Sequence, residues 1–273
     1  MRAALVALLV ASAFLFGAAT ALYFVYLRGR KNDPGFWASV LALLGWVALT
    51  LGGLVRGALL GRLPFGTFTD GLLLLVWLLA TSFFIVERRF GLKAGGAFIL
   101  PWATAGALYA ASHPGDGSLL EPILRSPWVG WHVALVFMGY AAFALAGLSG
   151  FLYLVQEREL KTKRLTFMHF SLPSLGTLER LAAALVAAGF PCLTVGIVVG
   201  ALWSRRVWGE YFPPDPKMAW TLATWLFYSA ALLARRVWGW KGRRVALLCV
   251  AGFLAVILNY LGISFALQGI HRF

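Results

Sequence analysis

The residues of this chain that could do chemistry are few. There are four histidines, His113, His132, His169 and His271. There is also one short aromatic, charge-bearing loop in otherwise apolar sequence: Trp208-Gly209-Glu210-Tyr211-Phe212-Pro213-Pro214-Asp215-Pro216-Lys217, followed closely by Trp220. Imidazole is a common protein ligand of haem iron, and two imidazoles can fill both axial positions. Flat aromatic faces such as Trp208, Tyr211, Phe212 and Trp220 stack on a flat macrocycle, and Arg205 and Arg206 can pair bidentately with carboxylates. Each of these residues also has a plainer role. His132 can be a hydrogen-bonded interfacial residue beside Trp128 and Trp131, since aromatic belts and snorkelling polar groups are routine at a membrane surface. His113-Pro114-Gly115 reads as an ordinary loop turn. The aromatic loop can anchor a re-entrant turn at headgroup level, with Arg205, Arg206 and Lys217 on lipid phosphate and Asp215 paired to one of them. Spacing alone does not choose between these alternatives.

The elements that must position those residues are set by composition. The 273 residues are 61% hydrophobic and 12% charged, about half the charged fraction usual in soluble domains. Repeated apolar runs, each close to the ~20 residues needed to cross a bilayer, make this an all-α, polytopic transmembrane helical bundle. It reads as a single integral membrane domain over residues 1–273. The net charge of +14 does not point to nucleic acid, because the basic residues sit in short clusters between apolar runs. Such clusters are topology signals and contacts to the lipid bilayer. Cys192 and Cys249 each lie within an apolar run with no CxxC spacing, so they read as core thiols, not a redox pair.

About eight spans are expected: residues 4–27, 35–55, 71–86, 94–112, 128–155, 181–203, 218–234 and 245–266. Pro101 and Pro191 fall inside two of them, where membrane helices tolerate a kink. The first run begins like a signal peptide, with Arg2 and a possible cleavage site at Ala19-Thr20-Ala21. It continues to Leu27, however, and cleavage would leave the Arg28 cluster on the wrong side. Alternate loops, starting with the one after the first span, hold 16 of the 24 lysines and arginines. The positive-inside rule therefore places both termini extracytoplasmic. His113, His132, His271 and the aromatic loop then share the outer face, and His169 is cytoplasmic. The three prolines exclude a regular helix in that loop, so its backbone must meet water or line a cavity.

Trp208-Gly209-x-Tyr211 with Asp215-Pro216-Lys217, Trp220 and Trp225-Leu226 resembles the tryptophan-rich WWD signature of the cytochrome c assembly membrane proteins. Further motifs follow in the same order: Trp131-His132, Leu172-Pro173-Ser174-Leu175, Gly189-Phe190-Pro191-Cys192, and Gly269-Ile270-His271. The last of these resembles the family's second outer histidine. The resemblance is detailed over residues 128–273 and only topological before that. Phe212 and Pro214 stand where the family has tryptophans, and Met218 where an acidic residue is common.

What the resemblance implies is haem handling. His132 and His271 would be the iron ligands, and Trp208, Gly209, Tyr211, Phe212, Asp215, Trp220, Arg205 and Arg206 the surface that receives haem b. The implied partners are haem, apocytochrome c and a membrane partner subunit. The implied role is a non-classical component of a haem lyase system in a bacterial-type cytoplasmic membrane, with no catalytic side chain of its own. The shorter branch of the family also includes proteins similar to a membrane regulator of haem biosynthesis, a second expectation. A small transporter is a third, weakened by the scarcity of charge within the spans.

Overall fold

The computed structural model describes residues 1–29, 32–61, 64–114, 126–163 and 172–263. The regular structure among the described residues is helical, in the order α1 (Arg2–Gly29), α2 (Asn32–Leu60), α3 (Phe68–Phe90), α4 (Gly96–Ser112), α5 (Pro127–Thr162), α6 (Leu175–Trp208), α7 (Pro216–Val237) and α8 (Arg243–Ile257). A 3-10 turn at Lys93–Gly95 precedes α4, and a π-helical segment, Leu258–Ile263, continues α8. Seven helical segments are long and apolar enough to cross a membrane: α1, α2, α3, α5, α6, α4 with its preceding 3-10 turn (Lys93–Ser112), and α8 with the start of the π-helical segment (Arg243–Tyr260). Helix α7 coincides with the expected seventh span, and its 22 residues are long enough. It falls short in hydropathy because Trp220, Thr221, Thr224, Trp225, Tyr228 and Ser229 recur along it.

Several helices are longer than their apolar runs. Helix α3 starts before Gly71 because Thr67 and Asp70 form a capping box, each side chain bonded to the other residue's backbone N–H. It continues through Glu87-Arg88-Arg89 until Gly91 closes it in the left-handed conformation, φ 68°. Helices α5 and α6 likewise run on into charged sequence, so the ends of the expected 156–180 connector are helical.

The chain forms two compact units. The first, residues 1–120 with 156–174, holds α1 to α4 around a core that includes Phe16, Tyr23, Phe83 and Leu100. Apolar burial cannot drive helix association in lipid, so polar contacts and close packing must fix partners. Helices α2 and α3 exchange reciprocal bonds. Trp46 Nε1 donates to Thr81 Oγ1 and Trp77 Nε1 donates to Thr50 Oγ1, each at 2.9 Å, with the two indoles stacked. Each threonine hydroxyl in turn donates to the carbonyl of the tryptophan four residues earlier on its own helix. Toward the C-terminal end of α3, Glu87 accepts from Tyr23 of α1 and Ser39 of α2. At its N-terminal end the buried Arg56–Asp70 ion pair joins α2 to α3, and Arg56 also donates to the Pro114 carbonyl beyond α4.

The second unit, residues 121–155 with 175–273, holds α6 to α8 and most of α5. Phe143 of α5 stacks on Tyr228 of α7 at 3.7 Å between ring centroids. Gly150 lets α5 approach α8 closely, since a Cβ there would lie 2.6 Å from the Ala246 carbonyl oxygen. Trp225 Nε1 of α7 donates to Thr194 Oγ1 of α6. This unit carries the residues of the candidate site.

Candidate functional site

His132 lies in the second turn of α5 and is half-buried. Its Nδ1 sits 2.8 Å from the backbone carbonyl oxygen of Gly196 on α6. A carbonyl oxygen can only accept, so Nδ1 carries the proton and donates it. In the neutral ring the lone pair is then on Nε2, the tautomer suited to binding a metal through that nitrogen. Histidines that ligate metals commonly have their other N–H fixed in this way, which orients the ring and raises its basicity. One turn further along α6, Gly200 makes room for the ring. A Cβ at that position would lie 2.5 Å from His132 Nδ1 and 2.7 Å from Cε1. His132 is therefore seated on a glycine ledge of α6, and its donor set fits an axial iron ligand.

The end of α6 and the start of α5 meet around that seat. Arg206 lies over the Trp128 ring of α5, 4.8 Å from its centroid. Arg205 donates to the Gly209 carbonyl at 2.9 Å and lies over the Tyr211 ring at 5.1 Å. These contacts place both arginines against aromatic faces, where a delocalised cation is favoured. Trp208 is the last residue of α6 and packs edge-on against Trp203. Gly209 then turns the chain at φ 80°, a conformation that a side chain would strain. The Ser204 hydroxyl donates to the Glu210 carbonyl and ties the loop back to α6. Trp208, Tyr211 and Phe212 remain 37%, 47% and 52% exposed, a run of apolar faces of the kind that stacks on a flat ligand.

Asp215, only 4% exposed, closes the loop by capping α7, accepting from the backbone N–H groups of Lys217 and Met218. Pro216 occupies the first helical position, where its missing N–H costs nothing. Trp220 Nε1 donates to the Ala255 carbonyl at 2.9 Å, which brings the end of α8 against the start of α7.

The start of α5, the end of α6, the loop, the start of α7 and the end of α8 thus converge at one end of this unit. His271 lies outside the described residues, as does His169. His113 caps α4 in the other unit, where its ring stacks on Tyr109 and its backbone N–H donates to the Tyr109 carbonyl. Among the described residues, no cluster of three or more His, Cys, Asp or Glu side chains could hold a bare metal ion. Sequence reasoning missed the Gly196 and Gly200 seat, although the small-xxx-small spacing on α6 was a usable signal. It also missed Asn259, an amide inside an apolar run and therefore conspicuous.

The family model described as "Cytochrome C assembly protein" matches residues 65–271. The match begins well before Trp128, so the likeness reaches further into the first half of the chain than the motifs do. The chain is also similar to "Cytochrome c biogenesis protein CcsA" from several organisms. It is 32% identical to that of Guillardia theta, over 88% of this chain and 85% of the relative. It is 31% identical to that of Prochlorococcus marinus (strain MIT 9312), over 89% and 86%. It is 30% identical to that of Porphyra purpurea, over 95% of both.

Proposed function

The chain belongs to the cytochrome c assembly protein family, and from that premise we propose that it handles haem for cytochrome c biogenesis. In this reading it receives haem b at the α5–α6–loop end of the second unit and positions it for covalent attachment to apocytochrome c. The observation that carries the reading is the His132 seat. An imidazole with its Nδ1 proton committed to a backbone carbonyl stands at the same end of the unit as an exposed aromatic loop. His271, which the family motif pairs with His132, would supply the second nitrogen ligand. Bound haem supplies the vinyl groups that become thioethers with cysteines of the apocytochrome.

The chain's own residues bind and orient. His132, its ring held by Gly196, would ligate the iron through Nε2, and the exposed rings of Trp208, Tyr211 and Phe212 would stack on the macrocycle. Arg205 and Arg206, at the root of the loop, answer the propionates. Phe212 and Pro214 in place of indoles leave a smaller stacking surface, so ligation and the arginines carry more of the affinity. The thiols come from the apocytochrome, since Cys192 and Cys249 belong to the interiors of α6 and α8. We place this end on the outer face of a bacterial-type cytoplasmic membrane, with both chain termini outside. The basic turn around Arg235, Arg236, Lys241, Arg243 and Arg244 joins the opposite ends of α7 and α8, which supports that orientation. A membrane partner subunit completes the haem lyase system. The relatives are named for cytochrome c biogenesis, which supports attachment over regulation of haem synthesis and over transport.

The test is an absorption spectrum of the purified protein. A bis-histidine type spectrum is expected, with haem content lowered in both His132→Ala and His271→Ala. Wild-type haem content in both variants refutes the ligand assignment. A deletion strain that keeps its c-type cytochromes refutes the biogenesis role.

A further inference from the structure

Asn259 lies in the π-helical segment that continues α8 and is 0% exposed. An amide buried in an apolar helix gives up its hydration, so each polar atom needs a partner. Its Nδ2 donates to Tyr140 Oη of α5 at 2.7 Å and to Thr221 Oγ1 of α7 at 2.9 Å. The Thr221 hydroxyl proton is already committed to the Lys217 carbonyl at 2.8 Å. Thr221 Oγ1 can therefore only accept from the amide, and this fixes which way the amide points. Among the described residues, the Asn259 Oδ1 is buried without a hydrogen-bond partner.

This arrangement is a poor source of stability. Leucine would fill a similar volume and remove the unsatisfied Oδ1, which offsets part of the loss of the two bonds that Tyr140 and Thr221 accept. What the amide supplies, and leucine cannot, is a fixed register between α8 and two other helices, the use for which buried amides are best attested. Those helices lead to the site. Tyr140 is on the helix that carries His132. Thr221 passes its bond to Lys217, where α7 leaves the aromatic loop. Asn259 itself stands in a π-turn, a departure from α geometry often found at functional sites.

We propose that Asn259 is a positioning residue for the haem site. Its amide sets the register of α8 against α5 and α7, and thereby the geometry in which the imidazole of His132 meets the iron. The proposal rests on the haem-binding reading above. Asn259 touches no haem atom; it acts through Tyr140 and Thr221.

The experiment compares purified wild type with Asn259→Leu, Thr221→Val and Thr221→Ser, measuring thermal unfolding, haem affinity and the haem absorption spectrum. Asn259→Leu is expected to unfold close to the wild-type temperature, because removal of the orphaned Oδ1 offsets the loss of its two neutral hydrogen bonds. Its haem affinity is expected to fall about tenfold, the lower end of effects seen when support of a metal ligand is disturbed, with a shifted spectrum. Thr221→Val is expected to follow it, and Thr221→Ser, which keeps the hydroxyl, to behave as wild type. Wild-type affinity and spectrum in both Asn259→Leu and Thr221→Val overturn the proposal while leaving the haem reading intact. So does a Thr221→Ser variant as impaired as Thr221→Val. If Asn259→Leu fails to fold, the two threonine variants decide by the same criteria. A wild-type protein without haem overturns both the proposal and the reading beneath it.

Discussion

Gly200→Ala is the sharpest test of the His132 seat, because it adds one methyl group at a place where the structure leaves none. The new Cβ would lie 2.5 Å from Nδ1 and 2.7 Å from Cε1 of the imidazole. Comfortable contact begins near ~3.5 Å, so the ring must retreat by roughly 1 Å or the helices must part. Either movement weakens the 2.8 Å bond from Nδ1 to the Gly196 carbonyl, worth about 0.5–1.5 kcal/mol net. Overpacking adds a further ~1–3 kcal/mol of strain. Disturbing the group that orients a metal-binding histidine lowers metal affinity by about 10–100-fold. Haem affinity is therefore expected to fall by about that factor, measured by haem titration of detergent-purified protein, with a change in the axial-ligand bands. Gly53→Ala in α2 is the control, since a Cβ there meets nothing within 4 Å. The reasoning is refuted if Gly200→Ala binds haem with wild-type affinity and spectrum. It is equally refuted if Gly53→Ala loses as much haem.

Other consequences follow from the polar contacts between helices. Thr50→Val leaves Trp77 Nε1 without its acceptor and should cost about 0.6 kcal/mol, with an upper bound near ~1.7 kcal/mol, in detergent unfolding. Asp70→Ala strips Arg56 of its buried counter-charge and α3 of its capping carboxylate. A loss of about 3–5 kcal/mol is expected from the broken ion pair, read as a lowered unfolding midpoint. Asp215→Ala removes the N-cap of α7, at a cost of about 0.5–2 kcal/mol. Hydrogen exchange should then quicken over residues 209–219 and stay unchanged in α1 to α4; uniform acceleration would show that the cap is not local.

The helices were largely legible in the sequence because a bilayer imposes a simple length and hydropathy rule. All eight appear where apolar runs place them. Their ends were less legible, because caps and charged turns extend a helix without being apolar, as Thr67 and Asp70 do for α3 and Glu157 to Lys161 do for α5. For the candidate site, the residue types and their order along the chain were readable: His132, the Trp208–Lys217 loop and Trp220. Their partners were not. In the sequence Asp215 reads as an ion-pair partner of Arg205, Arg206 or Lys217, and its carboxylate caps α7. Arg205 and Arg206 read as contacts to lipid phosphate or a ligand carboxylate, and each lies over an aromatic ring.

By itself, the sequence determined the class, the succession of helices and the family motif, because these depend on the transfer preference of each segment and on residue identity alone. Tertiary structure decided that the His132 proton sits on Nδ1, that Gly196 and Gly200 hold the ring, and that Asn259 joins α5, α7 and α8. The physical reason is that lipid rewards apolar surface equally in every helix register. Only close packing and the pairing of buried polar groups distinguish one register from another, and both depend on which residues of separate helices meet.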